Sequence, residues 1–186
     1  ANATTAVGYK ALTALTTGIG NTAVGFEAGA AVAGSGYNAY IGYEAGEANT
    51  GQSNTAVGYR ALADASADVD GCVAIGYLAL ANADSAYDDS QVAIGTSALQ
   101  DFNGSANGYN TAVGHTALKL LSVGVGNTAL GYTAGTALTT GERNTLLGYA
   151  ALNQGTTESD DNVAIGYNAM GGAIGTEMVN DCVAIG

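Results

Sequence analysis

The sequence predicts an all-β fold, a parallel β-solenoid built from one short repeated phrase. That phrase, ideally Asn-Thr-Ala-Val-Gly-Tyr-x-Ala-Leu, returns along the whole chain. The residues before its glycine alternate as in a β-strand. The segments between copies are rich in glycine, asparagine and serine, which are turn residues. A single copy cannot bury its own faces, so we expect the copies to stack on one another.

The glycine of the phrase occurs eleven times, at intervals of 16 to 20 residues. These glycines are Gly8, Gly25, Gly42, Gly58, Gly76, Gly95, Gly114, Gly131, Gly148, Gly166 and Gly186. Positions in each copy are numbered from this glycine, which is position 0. Because the array runs through residues 1–186, we expect one repetitive segment of a longer fibrous protein.

Positions −3 to −1 are expected to form a short strand in every copy. Position −1 is always Val, Ile or Leu, and position −3 is Thr or Val in every copy except the one with Ala39. Alternating β-branched residues favour a strand over a helix. The alternation places Thr22 and Val24 on one face and Ala23 on the other.

A second short strand is predicted after the glycine. Position +3 is alanine in all ten copies that reach it: Ala11, Ala28, Ala45, Ala61, Ala79, Ala98, Ala117, Ala134, Ala151 and Ala169. The aromatic residue at +1 and this alanine continue the period of two, so we expect both side chains on the same side. The repeat glycines, with Ala28, Ala61, Ala79, Ala117 and Ala151, are the expected structural residues.

The segments between copies are expected to be turns that absorb the differences in length. Residues 16–21, 33–38 and 139–144 are examples, and their glycines and asparagines favour chain reversal. Stacking of the copies at about 4.8 Å per step then gives a rod roughly 50 Å long. Like side chains should lie on like, with asparagine on asparagine and tyrosine on tyrosine.

Composition and charge exclude several kinds of partner. The chain has 29 glycines and no tryptophan, which suits a thin core filled by small side chains. Four basic residues against sixteen acidic ones give a net charge of −12, which disfavours nucleic acid and anionic membrane surfaces. No apolar run approaches the roughly 18 residues of a membrane helix. We expect neither nucleic acid binding nor membrane insertion of this segment.

The repeated phrase resembles the head repeats of trimeric autotransporter adhesins, the YadA-like head, a repeat type also found in bacteriophage tail fibres. The residues that carry the resemblance are NTAVGYRAL (54–62) and CVAIGYLAL (72–80), and it extends over all eleven copies. It implies a left-handed parallel β-roll and an intertwined homotrimer. It also implies an extracellular location, on a cell-surface appendage or a virion tail fibre, and attachment to a host or surface. The implied partners are further copies of the chain and a host-surface glycan or matrix protein.

The aromatic residues at position +1 are the candidate binding site. The column contains Tyr9, Phe26, Tyr43, Tyr59, Tyr77, Tyr132, Tyr149 and Tyr167. If exposed, the rings offer a strip for stacking on sugars. If buried, they fill the roll or an interface between chains. Thr96 interrupts the column, which a fixed binding strip would tolerate poorly, and His115 substitutes for tyrosine in the next copy.

No combination of residues predicts catalysis, a cofactor or a metal site. His115 is the single histidine, and no cluster of histidine and cysteine accompanies it. Cys72 and Cys182 both replace the asparagine of position −4, six copies apart. Stacking separates them by roughly 29 Å, beyond the Cα limit of about 7 Å for a disulfide. We expect each to be a small buried group in the asparagine column. The alternative is contact with the same cysteine of neighbouring chains, if that column faces the axis of a trimer.

Acidic residues are expected to be solvated surface. Glu27 and Glu44 at position +2 would stack on successive copies without basic partners, which argues against a catalytic pair of carboxylates like that of a polysaccharide-cleaving β-helix. The acidic loop residues are Asp64, Asp68, Asp70, Asp84, Asp88, Asp89, Glu158, Asp160 and Asp161. Their oxygens suit calcium, but the nonapeptide that binds calcium in other β-rolls is missing, so solvated charge is the preferred interpretation.

An ice-binding solenoid is the alternative function. Threonine occupies position −3 at Thr5, Thr22, Thr55, Thr111, Thr128 and Thr145, and a regular threonine array can match an ice lattice. The column is interrupted by Val73, Val92, Val163 and Val183. We therefore favour the structural and adhesive function.

Overall fold

The computed structural model describes residues 3–65, 68–83, 89–104, 108–154, 158–172 and 179–186. Eleven strands of three residues are present: β1 (Thr5–Val7), β2 (Thr22–Val24), β3 (Ala39–Ile41), β4 (Thr55–Val57), β5 (Val73–Ile75), β6 (Val92–Ile94), β7 (Thr111–Val113), β8 (Thr128–Leu130), β9 (Thr145–Leu147), β10 (Val163–Ile165) and β11 (Val183–Ile185). They form one parallel sheet in chain order, and equivalent positions pair without a shift, as Ala56 does with Ala74. The described residues contain no helix. The predicted all-β parallel solenoid is confirmed.

Each strand from β2 to β10 buries its middle side chain and turns the outer two towards solvent. In β2, Ala23 is buried while Thr22 and Val24 are not. This follows from the period of two, because neighbouring side chains on a strand point to opposite faces. Alanine suits the inward position because the interior between the strand and the rest of its coil is narrow.

The second strand predicted after the glycine does not occur in the described residues, which form turns there instead. Positions +2 and +4 adopt left-handed backbone conformations, with φ of 50° at Arg60 and 53° at Leu62. These residues bend the chain, so the side chains at +1 and +3 do not share a side. Tyr59 is 43% exposed and Ala61 is fully buried. The expectation that they lie on one side was therefore wrong.

The turns still stack in register. The N–H of Arg60 donates to the carbonyl of Tyr43 at 2.9 Å, and the N–H of Leu62 donates to the carbonyl of Ala79 at 3.0 Å. One bond reaches back to the preceding copy and the other reaches forward to the next. Each turn is thus tied to both of its neighbours.

The glycine at position 0 is required because consecutive copies approach closely there. Gly58 has φ of 133°, a conformation that residues with a side chain rarely adopt. A Cβ atom on Gly58 would lie 2.5 Å from the carbonyl oxygen of Gly76. The same approach recurs from copy to copy, as at Gly25, Gly76, Gly114 and Gly148.

Two interior positions, −2 and +4, compensate for each other in size. Most copies have alanine at −2 and leucine at +4, as in Ala56 and Leu62. Glycine at +4 lies beside a large −2 residue of its own copy or of the next one: a Cβ atom on Gly46 would lie 2.6 Å from Cδ1 of Tyr40, and one on Gly29, in the preceding copy, 2.7 Å from Cδ2 of Tyr40. The Tyr40 hydroxyl is buried and has no hydrogen-bond partner among the described residues. Burial raises the pKa of Tyr40.

Position −4 forms a buried ladder of side chains. Oδ1 of Asn54 accepts a hydrogen bond from the N–H of Cys72 at 2.8 Å. Sγ of Cys72 accepts from the N–H of Gln91 at 3.3 Å, and Oε1 of Gln91 accepts from the N–H of Asn110 at 3.0 Å. Cys72 therefore lies within the asparagine column, and the N–H of Cys182 likewise donates to Oδ1 of Asn162. The two cysteines are not joined by a disulfide.

Candidate binding surface

The side chains at position +1 form two stacked aromatic runs on the outside of the coil. The first run is Tyr9, Phe26, Tyr43, Tyr59 and Tyr77, and the second is His115, Tyr132, Tyr149 and Tyr167. Successive ring centroids lie 4.9 to 5.3 Å apart, with planes within 18° of parallel. The rings are exposed in the chain, so they do not fill its interior.

Stacking reduces the ring surface that the aromatic column exposes to a ligand. Tyr59 lies between Tyr43 and Tyr77, at 5.3 and 5.2 Å, so neighbouring rings cover both of its faces. What remains exposed is the ring edge with its hydroxyl. A sugar stacks its apolar face on a ring face, so the interior of each run cannot serve as the sugar-binding strip that the sequence suggests.

The break between the two runs leaves ring faces without a neighbouring ring. Thr96 occupies position +1 there and is exposed. Within the described residues, Tyr77 stacks only on Tyr59, and His115 stacks only on Tyr132. The side of each ring that faces Thr96 is therefore the accessible side.

The outward side chains of the strands extend this surface. We call the columns at positions −3, −1 and +1 together the outward sheet face. Its aliphatic members are substantially exposed, among them Val24, Ile41, Ile75, Leu130 and Leu147. None of its three columns contains Asp, Glu, Lys or Arg. The face is thus an uncharged strip on a chain whose net charge is −12.

The acidic residues at position +2 do have basic partners, and the expectation that they lack them was wrong. Nζ of Lys10 lies 2.9 Å from Oε1 of Glu27, and Nη1 of Arg60 lies 3.2 Å from Oε2 of Glu44. The hydrogen bond that Lys10 donates to Glu27 raises the pKa of Lys10. These carboxylates also lie on left-handed turn residues rather than on strands. The signal in the sequence was the recurrence of opposite charges at one position of neighbouring copies.

Carboxylates in three of the turns that lead into strands cap the backbone of the preceding copy. Oδ1 of Asp70 accepts from the N–H of Gln52 at 2.7 Å, and Oδ1 of Asp89 accepts from the N–H of Asp70 at 2.7 Å. Oδ1 of Asp160 accepts from the N–H of Glu142 at 2.8 Å. Asp70, Asp89, Glu142 and Asp160 all occupy position −6. The recurrence of acidic residues at this position was the signal in the sequence, and the sequence analysis did not use it.

Three of the other acidic loop residues, Asp64, Asp68 and Asp161, also have local partners. Asp64 pairs with Arg60 at 2.6 Å, and Asp68 accepts from the hydroxyl of Thr50 at 2.6 Å. Asp161 receives two hydrogen bonds from Arg143, at 2.7 and 2.8 Å. Asp84 and Asp88 lie outside the described residues. The part of the chain that is described contains no group of three or more side chains arranged to hold a metal ion.

Comparison with protein-family models, curated proteins and solved structures gives no match to this chain. No helix long and apolar enough to cross a bilayer occurs in the described residues. The same residues form no pocket. The candidate functional features are therefore the outward sheet face and the break in its aromatic column.

Proposed function

We propose that this chain is a segment of an extracellular trimeric fibre, a phage tail fibre or bacterial surface adhesin, that mediates attachment to a host or surface. The observation that carries the proposal is the outward sheet face. It is an uncharged strip of aliphatic, aromatic and threonine side chains, in which positions −3 and −1 continue through all eleven copies. The resemblance of the repeated phrase to adhesin heads and tail fibres supports the same conclusion.

The size of the face supports association with further copies of the chain. Ten steps along the rod and four residues across it give roughly 50 Å by 13 Å, or about 650 Å². Monomeric proteins rarely expose a contiguous apolar patch larger than a few hundred Å². A standard interface covers about 800 Å² on each partner, which is comparable. Chains with the same rise per step can also align their columns of side chains over the whole length of the rod.

The coil we propose is left-handed, as the resemblance implies, and its corners are sharp. Positions +2, +4 and −5 repeatedly adopt positive φ in residues other than glycine, such as Glu44 at 52°, Leu99 at 49° and Arg143 at 55°. Such residues are uncommon outside sharp turns. These corners recur at the same positions of successive copies, and the left-handed winding is taken from the resemblance.

The trimer is tested by light scattering on the purified chain during size-exclusion chromatography. We expect a mass near three times the 18.2 kDa of one chain. Ile75→Asp places a charge on the outward sheet face and should dissociate the trimer. Leu120→Asp is the matched control, because Leu120 is exposed elsewhere on the coil. A folded wild-type monomer would refute the trimer, and a glycan array with the intact assembly tests attachment separately.

Ice binding is a second candidate because part of the threonine column is accessible. Thr22, Thr55 and Thr111 lie half-buried on the outward sheet face, and Thr128 and Thr145 are exposed there. Ice binding requires that face to be open, whereas the trimer covers it. Thermal hysteresis from a monomeric chain would therefore favour ice binding, and a trimer without hysteresis would exclude it.

A further inference from the structure

We infer that the break in the aromatic column at Thr96 is a binding slot for one neutral pyranose ring. The slot consists of the facing sides of Tyr77 and His115, with Thr96 between them. The inference extends the proposed attachment function by naming a ligand class and a place. The slot itself is defined by the stacking geometry of a single chain and does not require the trimer.

The spacing of the aromatic column defines the slot. Successive rings lie 4.9 to 5.3 Å apart because each belongs to a consecutive copy. Tyr77 and His115 are two copies apart, so about 10 Å separates them, twice the rise of one copy. A ring placed midway would lie about 5 Å from each, within the range at which rings stack. The ligand would take the place of the missing ring.

The slot is the place within the column where two open ring faces oppose each other, whereas Tyr9 and Tyr167 at the ends of the column each offer one open face. The rings inside each run, such as Tyr59 and Tyr149, are covered on both sides by neighbours. A ring bound between Tyr77 and His115 is sandwiched, which doubles its contact compared with stacking on one ring.

The surroundings of the slot favour a neutral ligand. Position +2 in these copies is Leu78, Ser97 and Thr116, and position −1 is Ile75, Ile94 and Val113. No charged residue occupies either position, so a charged ligand gains no partner there. The net charge of −12 also repels anionic sugars. A neutral hexose is the pyranose that fits these conditions.

The hydroxyl of Thr96 favours a sugar over a flat aromatic ring. A pyranose has apolar C–H faces that can contact Tyr77 and His115, and a rim of hydroxyls that can bond to Thr96. An aromatic hydrocarbon would fill the same gap but would cover the Thr96 hydroxyl without a partner, which is unfavourable. Binding sites commonly combine apolar walls with a few polar groups that orient the ligand.

His115 is a built-in reporter for the experiment because it is the single histidine of the chain. Its imidazole gives one pair of carbon-bound proton signals in an NMR spectrum, and these need no assignment. The probes are methyl glucoside, methyl galactoside, methyl mannoside and methyl N-acetylglucosaminide, with glucuronate and phenol for comparison. We expect at least one neutral pyranoside to shift the His115 signals with a Kd in roughly the millimolar range, as for other single small rings.

Three variants assign the shift to the slot. Thr96→Tyr supplies the missing ring and should abolish binding without unfolding the chain, since tyrosine occupies the equivalent position of most copies. Thr96→Ser leaves the gap open, keeps a hydroxyl and should retain binding. Tyr43→Thr opens a second gap between Phe26 and Tyr59, so calorimetry should report two pyranoside sites instead of one.

The inference is overturned if no neutral pyranoside shifts the His115 signals. It is also overturned if Thr96→Tyr binds as well as wild type, or if phenol binds and the sugars do not. Stronger binding of glucuronate would contradict the neutral ligand class. Because the proposed trimer covers the outward sheet face, the titration is run on wild type and on a chain dissociated by Val24→Asp, which lies on that face far from the slot. No shift in either removes the slot, whereas a monomeric wild type removes only the trimer.

Discussion

Oδ1 of Asn127 accepts a hydrogen bond from the backbone N–H of Asn144, which lies one copy further along, at 3.0 Å. Nδ2 of Asn127 donates to the carbonyl of Gly141 at 2.7 Å. The buried side-chain amide of Asn127 is thus hydrogen-bonded both to the start of the next strand and to the turn that leads to it. The register of each strand is fixed by the side chain of the copy before it.

Asn127→Ala should lower the free energy of unfolding by roughly 2–4 kcal/mol, because the N–H of Asn144 and the carbonyl of Gly141 both lose their partner in a buried place. Urea denaturation followed by circular dichroism measures the change. The control is Thr128→Ala, an exposed neighbour, which should change stability by no more than about 0.5 kcal/mol. Equal effects of the two substitutions would contradict the role of the ladder.

Gly148→Ala should destabilise the chain by about 3 kcal/mol or more, because alanine is strained at φ of 141° and its Cβ would press on the carbonyl oxygen of Gly166. Gly172→Ala is the matched control, since a Cβ atom there has no neighbour within 4 Å. That substitution should be neutral or stabilise by up to about 1 kcal/mol. Thermal unfolding of both variants measures the difference, and similar losses would refute the close approach at position 0.

Gly46→Leu should destabilise the chain because the leucine would enter the space of Tyr40. Adding Tyr40→Ala should restore stability, since alanine at −2 with leucine at +4 is the usual pair in other copies. A double-mutant cycle measures the coupling, which we expect to be favourable by about 1–3 kcal/mol. Additive effects would show that the two positions do not share one space.

Tyr40→Phe should stabilise the chain by about 1 kcal/mol, because it removes a buried hydroxyl that has no hydrogen-bond partner among the described residues. Tyr59→Phe removes an exposed hydroxyl and should leave stability unchanged. Chemical denaturation at neutral pH compares the two. A loss of stability in Tyr40→Phe would indicate that its hydroxyl is bonded.

Arg143 holds the pKa of Asp161 below its usual value through hydrogen bonds to the carboxylate. Arg143→Gln should therefore raise the pKa of Asp161, measured by an NMR titration of the carboxyl carbon. The pair stabilises the fold above the unfolded pKa of the aspartate, and this contribution is lost as the pH falls through the lower folded value. Lys119→Gln is the control, and an unchanged pKa of Asp161 in Arg143→Gln would refute the pairing.

The strands and the stacking order could be predicted because the phrase repeats and β-branched residues alternate within it. The turn after the glycine could not, because left-handed residues at +2 and +4 produce the same apolar period of two as a strand does. Arg60 and Leu62 have no local feature that marks them as left-handed, since glycine and asparagine are the residues that usually adopt this conformation. Their conformation follows from the stacking of neighbouring turns.

The candidate site was predicted only in outline. The aromatic column was evident from residues such as Tyr59 and Tyr77, but whether its rings present faces or edges depends on the rotamers that stacking imposes. The pairing of Tyr40 with Gly46 was also beyond the sequence, because nothing in the phrase indicates that −2 and +4 share one interior space. Both features appear only when the copies are placed in register.

The ladder bonds between copies, such as the one from Asn144 to Asn127, join each coil only to the coils directly before and after it. A pull applied to the two ends of the chain therefore loads one boundary between coils at a time, instead of shearing many bonds together. Each coil of 16 to 20 residues that peels away lengthens the tether by roughly 60 Å. Under tension the coils of a single rod would unfold one after another. A fibre made of such rods would lengthen stepwise under a sudden load before it breaks.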